Sequence, residues 1–156
     1  MRLRKIVSGG QTGVDRAALD AALDYDIPVG GWCPRGRRAE DGPIPETYPL
    51  TETPSEAYEQ RTAWNVRDSD GTLIITTGVL EGGTALTMDE ARRQGRPVLH
   101  VRTTDPVPVE MIQAWGEDHD LRVLNVAGPR ASEVKEIYDE AKVLLGALFA
   151  RLESRP

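Results

Sequence analysis

The sequence predicts one α/β domain, residues 1–156, with a mainly parallel sheet of about five strands between two layers of helices. Short β-rich runs alternate with segments whose apolar residues recur at helical spacing, and this alternation repeats five times. A chain of 156 residues has the size of one ordinary domain. Because strand–helix–strand crossovers are right-handed and pass over one face of the sheet, such a repeat predicts parallel strands that are covered on both faces.

The first half of the chain contains two predicted strands and one predicted helix before a long irregular segment. Lys5 to Ser8 is a β-rich run, and the helix follows from Val14 to Asp24. Ile27 to Gly30 is the second predicted strand. Residues 31–54 are rich in proline, glycine and charge and predict a loop. Loops of this length are uncommon and often functional, although a surface insertion explains the length equally well.

The second half is predicted to contain three strands and four helices. The strands are predicted at 72–76, 97–101 and 123–126, and the helices at 55–68, 85–94, 109–115 and from Ser132 through Leu148. A strand order near 2-1-3-4-5 would make the first and third strands neighbours. Ligands of such sheets bind beyond the carboxyl ends of the strands, where the direction of winding switches.

Charge and composition exclude several classes of function. The 25 acidic and 19 basic residues give a net charge of -6, which disfavours binding to nucleic acid. No apolar segment predicts a membrane span or a signal peptide, so we expect a cytoplasmic protein. A single cysteine, Cys33, predicts no internal disulfide, and the two histidines lie too far from it to suggest a metal site.

Glycine-rich turns follow three of the predicted strands, and they are the main functional signal. They are SGGQTG at residues 8–13, EGGT at residues 81–84 and AGPRA at residues 127–131. Glycine lets the backbone approach a ligand, and a following helix directs free N–H groups at an anion. A turn capped by Thr12 is the simpler alternative. The phosphate-binding residues predicted from the first two turns are Gly9, Gly10, Gln11, Thr12, Gly13, Gly82, Gly83, Thr84 and Thr87.

Several arginines are predicted near the same edge of the sheet. Arg35, Arg37 and Arg38 lie together in the long loop, and guanidinium groups suit oxyanions, although a charged run is often only solvated surface. Arg61 and Asn65 share one face of the predicted helix at 55–68, so both are predicted to contact the ring or sugar of a ligand. Arg130 is a further possible anion contact. We expect Arg35 and Arg38 to close over the anion.

Carboxylates beside the second turn raise the possibility of acid–base chemistry. Glu81, Asp89 and Glu90 could serve as general acids or bases or bind a sugar or pterin, while Asp89 and Glu90 could equally face solvent. The first turn is neither a dinucleotide fingerprint nor a P-loop, because no Gly-Lys-Ser/Thr follows it. The pattern therefore does not predict a nucleoside triphosphate hydrolase.

Four segments together resemble the putative molybdenum carrier family. They are SGGQTGVDRAALDAA, GGWCPRGRRAEDG, RTAWNVRDSDGTLII and EGGTALT, and the resemblance extends from about Lys5 to Leu148. That family is placed in a circularly permuted branch of the SLOG superfamily, which implies a three-layer α/β/α Rossmann-like fold. It also implies a protein that carries the molybdenum cofactor.

The wider superfamily is similar to the lysine-decarboxylase-like phosphoribohydrolases, which use a PGGxGTxxE signature. This chain keeps Gly82, Gly83 and Thr84 of that signature, but Glu81 replaces the proline and Thr87 stands where the glutamate belongs. The catalytic carboxylate is therefore out of register, and an enzyme would have to use Glu81 or Glu90.

The sequence thus predicts a carrier that binds a small phosphate-bearing ligand, either the molybdenum cofactor or a nucleotide. The alternatives are a nucleoside 5′-monophosphate N-glycosidase and a nucleotide-sensing module. The apolar final helix predicts a homo-oligomer.

Overall fold

The computed structural model describes residues 1–154 and contains five helices and nine strands in that range. The helices are α1 (Val14–Asp24), α2 (Tyr58–Arg67), α3 (Gly82–Arg93), α4 (Pro108–Asp118) and α5 (Ile137–Glu153). The strands are β1 (Lys5–Val7), β2 (Val29–Gly30), β3 (Trp32–Cys33), β4 (Arg38–Ala39), β5 (Gly42–Pro43), β6 (Thr51–Glu52), β7 (Gly71–Thr76), β8 (Val98–Arg102) and β9 (Val123–Ala127). The predicted α/β class with a five-stranded parallel sheet is confirmed.

The predicted strand order is wrong in one respect. The sheet runs β2-β1-β9-β7-β8, so the last strand of the chain lies between the first predicted strand and the third. Ile6 of β1 pairs with Leu124 of β9, and Thr72 of β7 pairs with Asn125. Counted from β9, the order becomes 3-2-1-4-5, which is the order of Rossmann folds. The chain therefore has the connectivity of a circularly permuted Rossmann domain.

Three helix starts differ from the prediction. Helix α3 begins at Gly82, so the EGGT turn forms its first turn, whereas α2 begins at Tyr58 and α5 only at Ile137. The side chain of Ser55 still accepts a hydrogen bond from the backbone N–H of Ala57 at 3.0 Å. The sequence signals for a helix start at residues 55 and 132 therefore belong to turns that precede the helices.

The main core lies between one face of the sheet and helices α1, α4 and α5. Leu73 and Ile75 of β7 face this core, while Ile74 between them is equally buried and points to the opposite face because side chains alternate along a strand. Small side chains on α1 allow it to pack closely on α5; they are Ala17, Ala18, Ala21 and Ala22. None of the helices described within residues 1–154 is long and apolar enough to span a membrane.

The segment 31–54 was predicted as a loop, but it contains the short strands β3 to β6 and forms a small apolar cluster together with α1. The cluster is formed by Leu19, Cys33, Ala39, Ile44 and Leu50. Strand β3 pairs in parallel with β6, and β4 pairs with β5 as a hairpin. The segment is therefore an ordered layer that packs on α1.

Candidate ligand-binding cleft

A cleft of about 320 Å³ opens at the carboxyl ends of β7 and β9. The strand order reverses between these two strands, and open α/β sheets bind their ligands at that point. Four regions line the cleft: the turn after β1 with the start of α1, helix α2, the first turns of α3, and the end of β9 with the segment that follows it. The lining residues are Gly9, Gln11, Asp15, Tyr58, Glu59, Arg61, Thr62, Asn65, Gly82, Gly83, Thr84, Leu86, Thr87, Asn125, Val126, Ala127, Gly128, Arg130 and Glu133.

The second glycine turn presents open backbone to this cleft. The N–H groups of Thr84 and Ala85 both donate to the carbonyl of Glu81, at 3.1 and 3.2 Å. Among residues 1–154, the structure provides no acceptor for the N–H groups of Gly82 and Gly83 at the start of α3. A Cβ atom added at Gly83 would meet nothing within 4 Å. The positive end of the α3 dipole and two free amides therefore face accessible space.

Thr87 and Thr84 were predicted with this turn, and both line the cleft while being nearly buried. The Thr87 hydroxyl donates to the carbonyl of Gly83 at 3.0 Å. That bond uses the only proton of the hydroxyl, so Thr87 can offer a ligand only its oxygen lone pairs.

The first glycine turn has a different arrangement, because most of its amides already have acceptors. The N–H of Gly10 donates to the Ser8 hydroxyl at 3.4 Å, that of Gln11 to the Asp15 carboxylate at 3.2 Å, and that of Thr12 to its neighbour Gln11 at 3.1 Å. Of the five residues predicted here, only Gly9 and Gln11 line the cleft. The turn contributes one wall of the cleft rather than an open cradle of amides.

Packing explains the glycines of the first turn. A Cβ at Gly10, whose φ is +75°, would lie 2.6 Å from the Leu50 side chain, and one at Gly13 would lie 2.3 Å from the Pro129 carbonyl oxygen. A Cβ at Gly9 would lie 2.3 Å from Cδ of Arg61. A side chain at Gly10 would therefore enter the apolar cluster of segment 31–54 and not the cleft.

Glu40 ties that segment to both of the turns beside it. Its carboxylate accepts the hydroxyl of Thr12 and, at 2.5 Å, the hydroxyl of Ser132, while its N–H donates to the Gln11 side chain at 2.9 Å. Partial desolvation opposes ionisation, but the hydrogen bonds from Ser132 and Thr12 lower the pKa of Glu40. Thr12 therefore links the first glycine turn to segment 31–54.

The three arginines of the long loop have three different environments. Arg37 donates to backbone carbonyls at Ile44, Pro45, Tyr48 and Leu50, which makes it an organiser of the segment. Arg38 donates to the carbonyl of Glu56 and stacks 4.6 Å from the centre of the Tyr58 ring. Arg35 is exposed and lies 3.7 Å from Glu56. None of the three lines the cleft.

Arg61 and Asn65 line the cleft from α2, but Asn65 is committed to the backbone of β3. Its amide accepts from the N–H of Trp32 at 2.8 Å and donates to the Trp32 carbonyl at 3.0 Å. Arg61 donates to the carbonyl of Gly9 at 3.2 Å, while its Nε is buried without a partner among the described residues. Both amide atoms of Asn65 are therefore bonded to the β3 backbone, whereas Arg61 bonds only the carbonyl of Gly9 within residues 1–154.

Asp15 lines the cleft, although it was not among the site residues predicted from the sequence. Its Oδ2 lies 3.7 Å from Nη1 of Arg61. Burial raises the pKa of Asp15 to about 6, although Arg61 and the backbone N–H of Gln11 oppose that rise. The only sequence signal is an acidic residue in the first turn of α1, where the helix dipole already favours one.

The two carboxylates considered for catalysis, Glu81 and Glu90, do not line the cleft. Glu90 pairs with Arg93 and accepts from Gln94 at 2.8 Å, and the Arg93 hydrogen bond lowers its pKa. The carboxylates that do line the cleft are Asp15, Glu59 and Glu133.

Arg130 lies at the rim of the cleft between two carboxylates. Its Nε is 3.1 Å from Glu133 and 3.8 Å from Glu40, and its side chain is partly exposed.

Within residues 1–154, no group of histidine, cysteine or acidic side chains is arranged to hold a metal ion. Cys33 is buried in the apolar cluster, and desolvation raises its pKa.

Comparison with known proteins supports one family. Residues 6–149 match the model of the circularly permutated YpsA SLOG family. The chain is similar to the crystal structure of a putative molybdenum carrier protein from Syntrophus aciditrophicus, with 49% identity, a TM-score of 0.91 and coverage of 94% of each chain. Comparison with curated proteins finds no match. The family match agrees with the permuted strand order, and this chain belongs to the circularly permuted YpsA SLOG family.

Proposed function

We propose that the protein is a carrier that holds a small phosphate-bearing ligand in the cleft between α2, α3 and the segment after β9, with the molybdenum cofactor as its cargo. The observation that carries the proposal is a pair of unmet donors in one cleft. The N–H groups of Gly82 and Gly83 have no acceptor within residues 1–154, and both residues line the cleft.

The start of α3 is the proposed position of the phosphate. Free amides and the dipole of a helix that begins at Gly82 stabilise an anion there. Arg130 at the rim would add a guanidinium group to the phosphate site. Its present partner is Glu133, and a phosphate oxygen would replace that carboxylate as the acceptor. The cleft is not a general polyanion site, because three carboxylates and two arginines line it.

The remainder of the cleft fits a polar ring rather than a second phosphate. Asp15 accepts hydrogen bonds, Arg61 donates them, and Leu86 offers an apolar surface that is 39% exposed. Among the described residues, no side chains are placed to coordinate a metal, so molybdenum would be held by the pterin rather than by the protein. A pterin phosphate has the matching chemistry: one anionic end and a flat ring with donors and acceptors along its edge.

The name of the similar structure supports the choice of cargo. That protein is described as a putative molybdenum carrier, and 49% identity over 94% of both chains makes a related ligand the simplest hypothesis. The N-glycosidase alternative lacks support from the site, because neither Glu81 nor Glu90 lines the cleft. We therefore propose a binding role without turnover.

The experiment is native mass spectrometry of protein purified gently from cells grown with molybdate. We expect a bound mass that corresponds to a molybdenum-containing pterin in the wild type, and its loss in Gly83→Val. Gly78→Val is a matched control, because a Cβ there also meets nothing within 4 Å but Gly78 does not line the cleft. A bound nucleotide would replace the proposed cargo, and a bare chain in the wild type would contradict the carrier function.

A further inference from the structure

Two charged side chains that line the cleft are not needed for the phosphate. Asp15 comes from α1 and Arg61 from α2, and their side chains are only 10% and 12% exposed. Oδ2 of Asp15 and Nη1 of Arg61 are 3.7 Å apart. A carboxylate and a guanidinium group therefore lie side by side on the cleft wall.

Each of the two groups keeps hydrogen-bonding capacity for a ligand. Asp15 accepts from the N–H of Gln11 at 3.2 Å, but a carboxylate offers about four acceptor positions. Arg61 donates through Nη1 to the carbonyl of Gly9, and its Nε is buried with no partner among residues 1–154. Nη2 of Arg61 donates to no acceptor among residues 1–154, so the guanidinium group can still donate to a ligand in the cleft.

We propose that Asp15 and Arg61 bind the ring of the ligand and select rings with a 2-amino-4-oxo-pyrimidine edge, as in guanine and pterins. The ring N–H and the 2-amino group would donate to the Asp15 carboxylate, and the neighbouring carbonyl oxygen would accept from the guanidinium group of Arg61. This inference rests on the function proposed above, because the phosphate at α3 places the ring against this wall.

The chemistry of other rings explains the selectivity. Adenine presents one amino donor next to a ring nitrogen with a lone pair, and that lone pair would face the carboxylate of Asp15. Hypoxanthine keeps the ring N–H and the carbonyl but lacks the 2-amino donor. Sites that hydrogen-bond a group on the ligand discriminate strongly against analogues without it, because buried polar atoms are then left unpaired.

The test is isothermal titration calorimetry of the full chain with GMP, IMP, AMP, XMP and neopterin monophosphate as probes. For the wild type we expect GMP to bind at least tenfold more tightly than IMP or AMP. Tighter binding of neopterin monophosphate than of GMP would identify the pterin as the source of this edge, and the reverse would identify a nucleotide. This comparison needs no variant, so it does not depend on the folding of a mutant.

The Asp15→Asn variant is expected to bind XMP more tightly than the wild type does. A misfolded variant could not give this result. The amide oxygen of asparagine can still accept from Gln11, while its NH₂ group can donate to the 2-oxo group of xanthine. We expect at least tenfold weaker binding of GMP and tighter binding of XMP.

The outcomes separate this inference from the proposed function. If the wild type binds GMP, IMP and AMP equally well, the ring recognition is overturned, and the phosphate site stands. An unchanged GMP-to-XMP preference in Asp15→Asn would overturn it in the same way. If no probe binds the wild type, the ring recognition is also overturned, whereas the carrier function fails only if native mass spectrometry finds the wild-type chain bare.

Discussion

Replacing Gly10 and Gly83 separately by valine tests the different roles that the structure gives to the two glycine turns. Both positions come from motifs that looked alike in sequence. At Gly10 the new Cβ would lie 2.6 Å from Leu50 and 2.9 Å from Ile44, and the backbone φ is +75°. At Gly83 the new Cβ would meet nothing within 4 Å and would project into the cleft. Gly10→Val should therefore damage the fold, and Gly83→Val should damage only binding.

The magnitudes follow from the two environments. A side chain in the left-handed region costs roughly 1–2 kcal/mol, and overpacking an apolar cluster costs about 1–3 kcal/mol. Valine also reduces the conformational entropy of the unfolded chain, which offsets part of these costs. Gly10→Val should therefore lose about 2–4 kcal/mol of unfolding free energy. Gly83 is the second residue of α3, and valine has the higher helix propensity, so Gly83→Val should change stability by only a few tenths of a kcal/mol.

Urea unfolding followed by circular dichroism measures the stabilities, and native mass spectrometry measures the bound ligand. The melting temperature of Gly10→Val should fall by roughly 5–15 °C for a domain of this size. A Gly10→Val protein as stable as the wild type would refute the packing explanation. Retention of ligand by a folded Gly83→Val protein would show that the anion does not lie at the start of α3.

Two further substitutions test the electrostatics and the long segment. Because the folded pKa of Asp15 is raised from 3.8 to about 6, its protonation stabilises the fold below pH 4, and this stability is lost as pH rises through about 6. Between pH 8 and pH 4, the unfolding free energy of the wild type should therefore rise by roughly 2 kcal/mol relative to that of Asp15→Asn, as measured by urea unfolding. Parallel profiles of the two proteins would contradict the burial of that carboxyl. Arg37→Lys should lower the unfolding free energy by about 2–4 kcal/mol, because lysine cannot satisfy the four carbonyls that Arg37 bonds. Amide exchange at Ile44 should also become faster, since its N–H donates to the carbonyl of Arg37. The control Arg35→Lys, at an exposed side chain, should leave the stability unchanged. Equal effects of the two arginine variants would remove the organising role of Arg37.

Local sequence patterns predicted most of the secondary structure, because the period of apolar residues depends on neighbours along the chain. They also placed the EGGT turn correctly at the edge of the sheet where the cleft opens. Asp15 could not be recognised in this way, because its ion-pair partner Arg61 is 46 positions away in sequence. The same limit applies to Glu40, whose partners Thr12 and Ser132 come from opposite ends of the chain.

The glycines show why a motif predicts a turn better than it predicts a site. A positive φ, a close backbone approach and a ligand cradle all require glycine, and sequence alone does not distinguish among them. Gly10 satisfies the first requirement and Gly13 the first two. Gly83 satisfies neither of these two requirements, so the open cleft is the remaining structural reason for a glycine at this position.

The permuted strand order leads to a prediction about where the chain can begin. Strand β9 lies in the sheet between the β2-β1 pair and the β7-β8 pair, so the two pairs do not hydrogen-bond to each other directly. The two ends of the described chain both lie on α4: the Met1 amino group pairs with Glu117, and Arg151 pairs with Glu110 and donates to Gln113. Gln113 and Glu117 are separated by one helical turn, or about 6 Å, which a short linker spans.

A variant whose original ends are joined by a glycine-serine linker and whose chain opens between His119 and Asp120 should therefore fold. Both residues are exposed, and Asp120 already has a left-handed φ of 49° in a turn, so the opening removes few contacts. Such a chain would begin just before β9 and would have the unpermuted strand order 3-2-1-4-5. We expect one cooperative urea transition and wild-type ligand binding. A folded variant that has lost binding would show that the cleft needs the continuous segment from α4 to β9, and loss of the cooperative transition would show that the chain ends are not interchangeable with that turn.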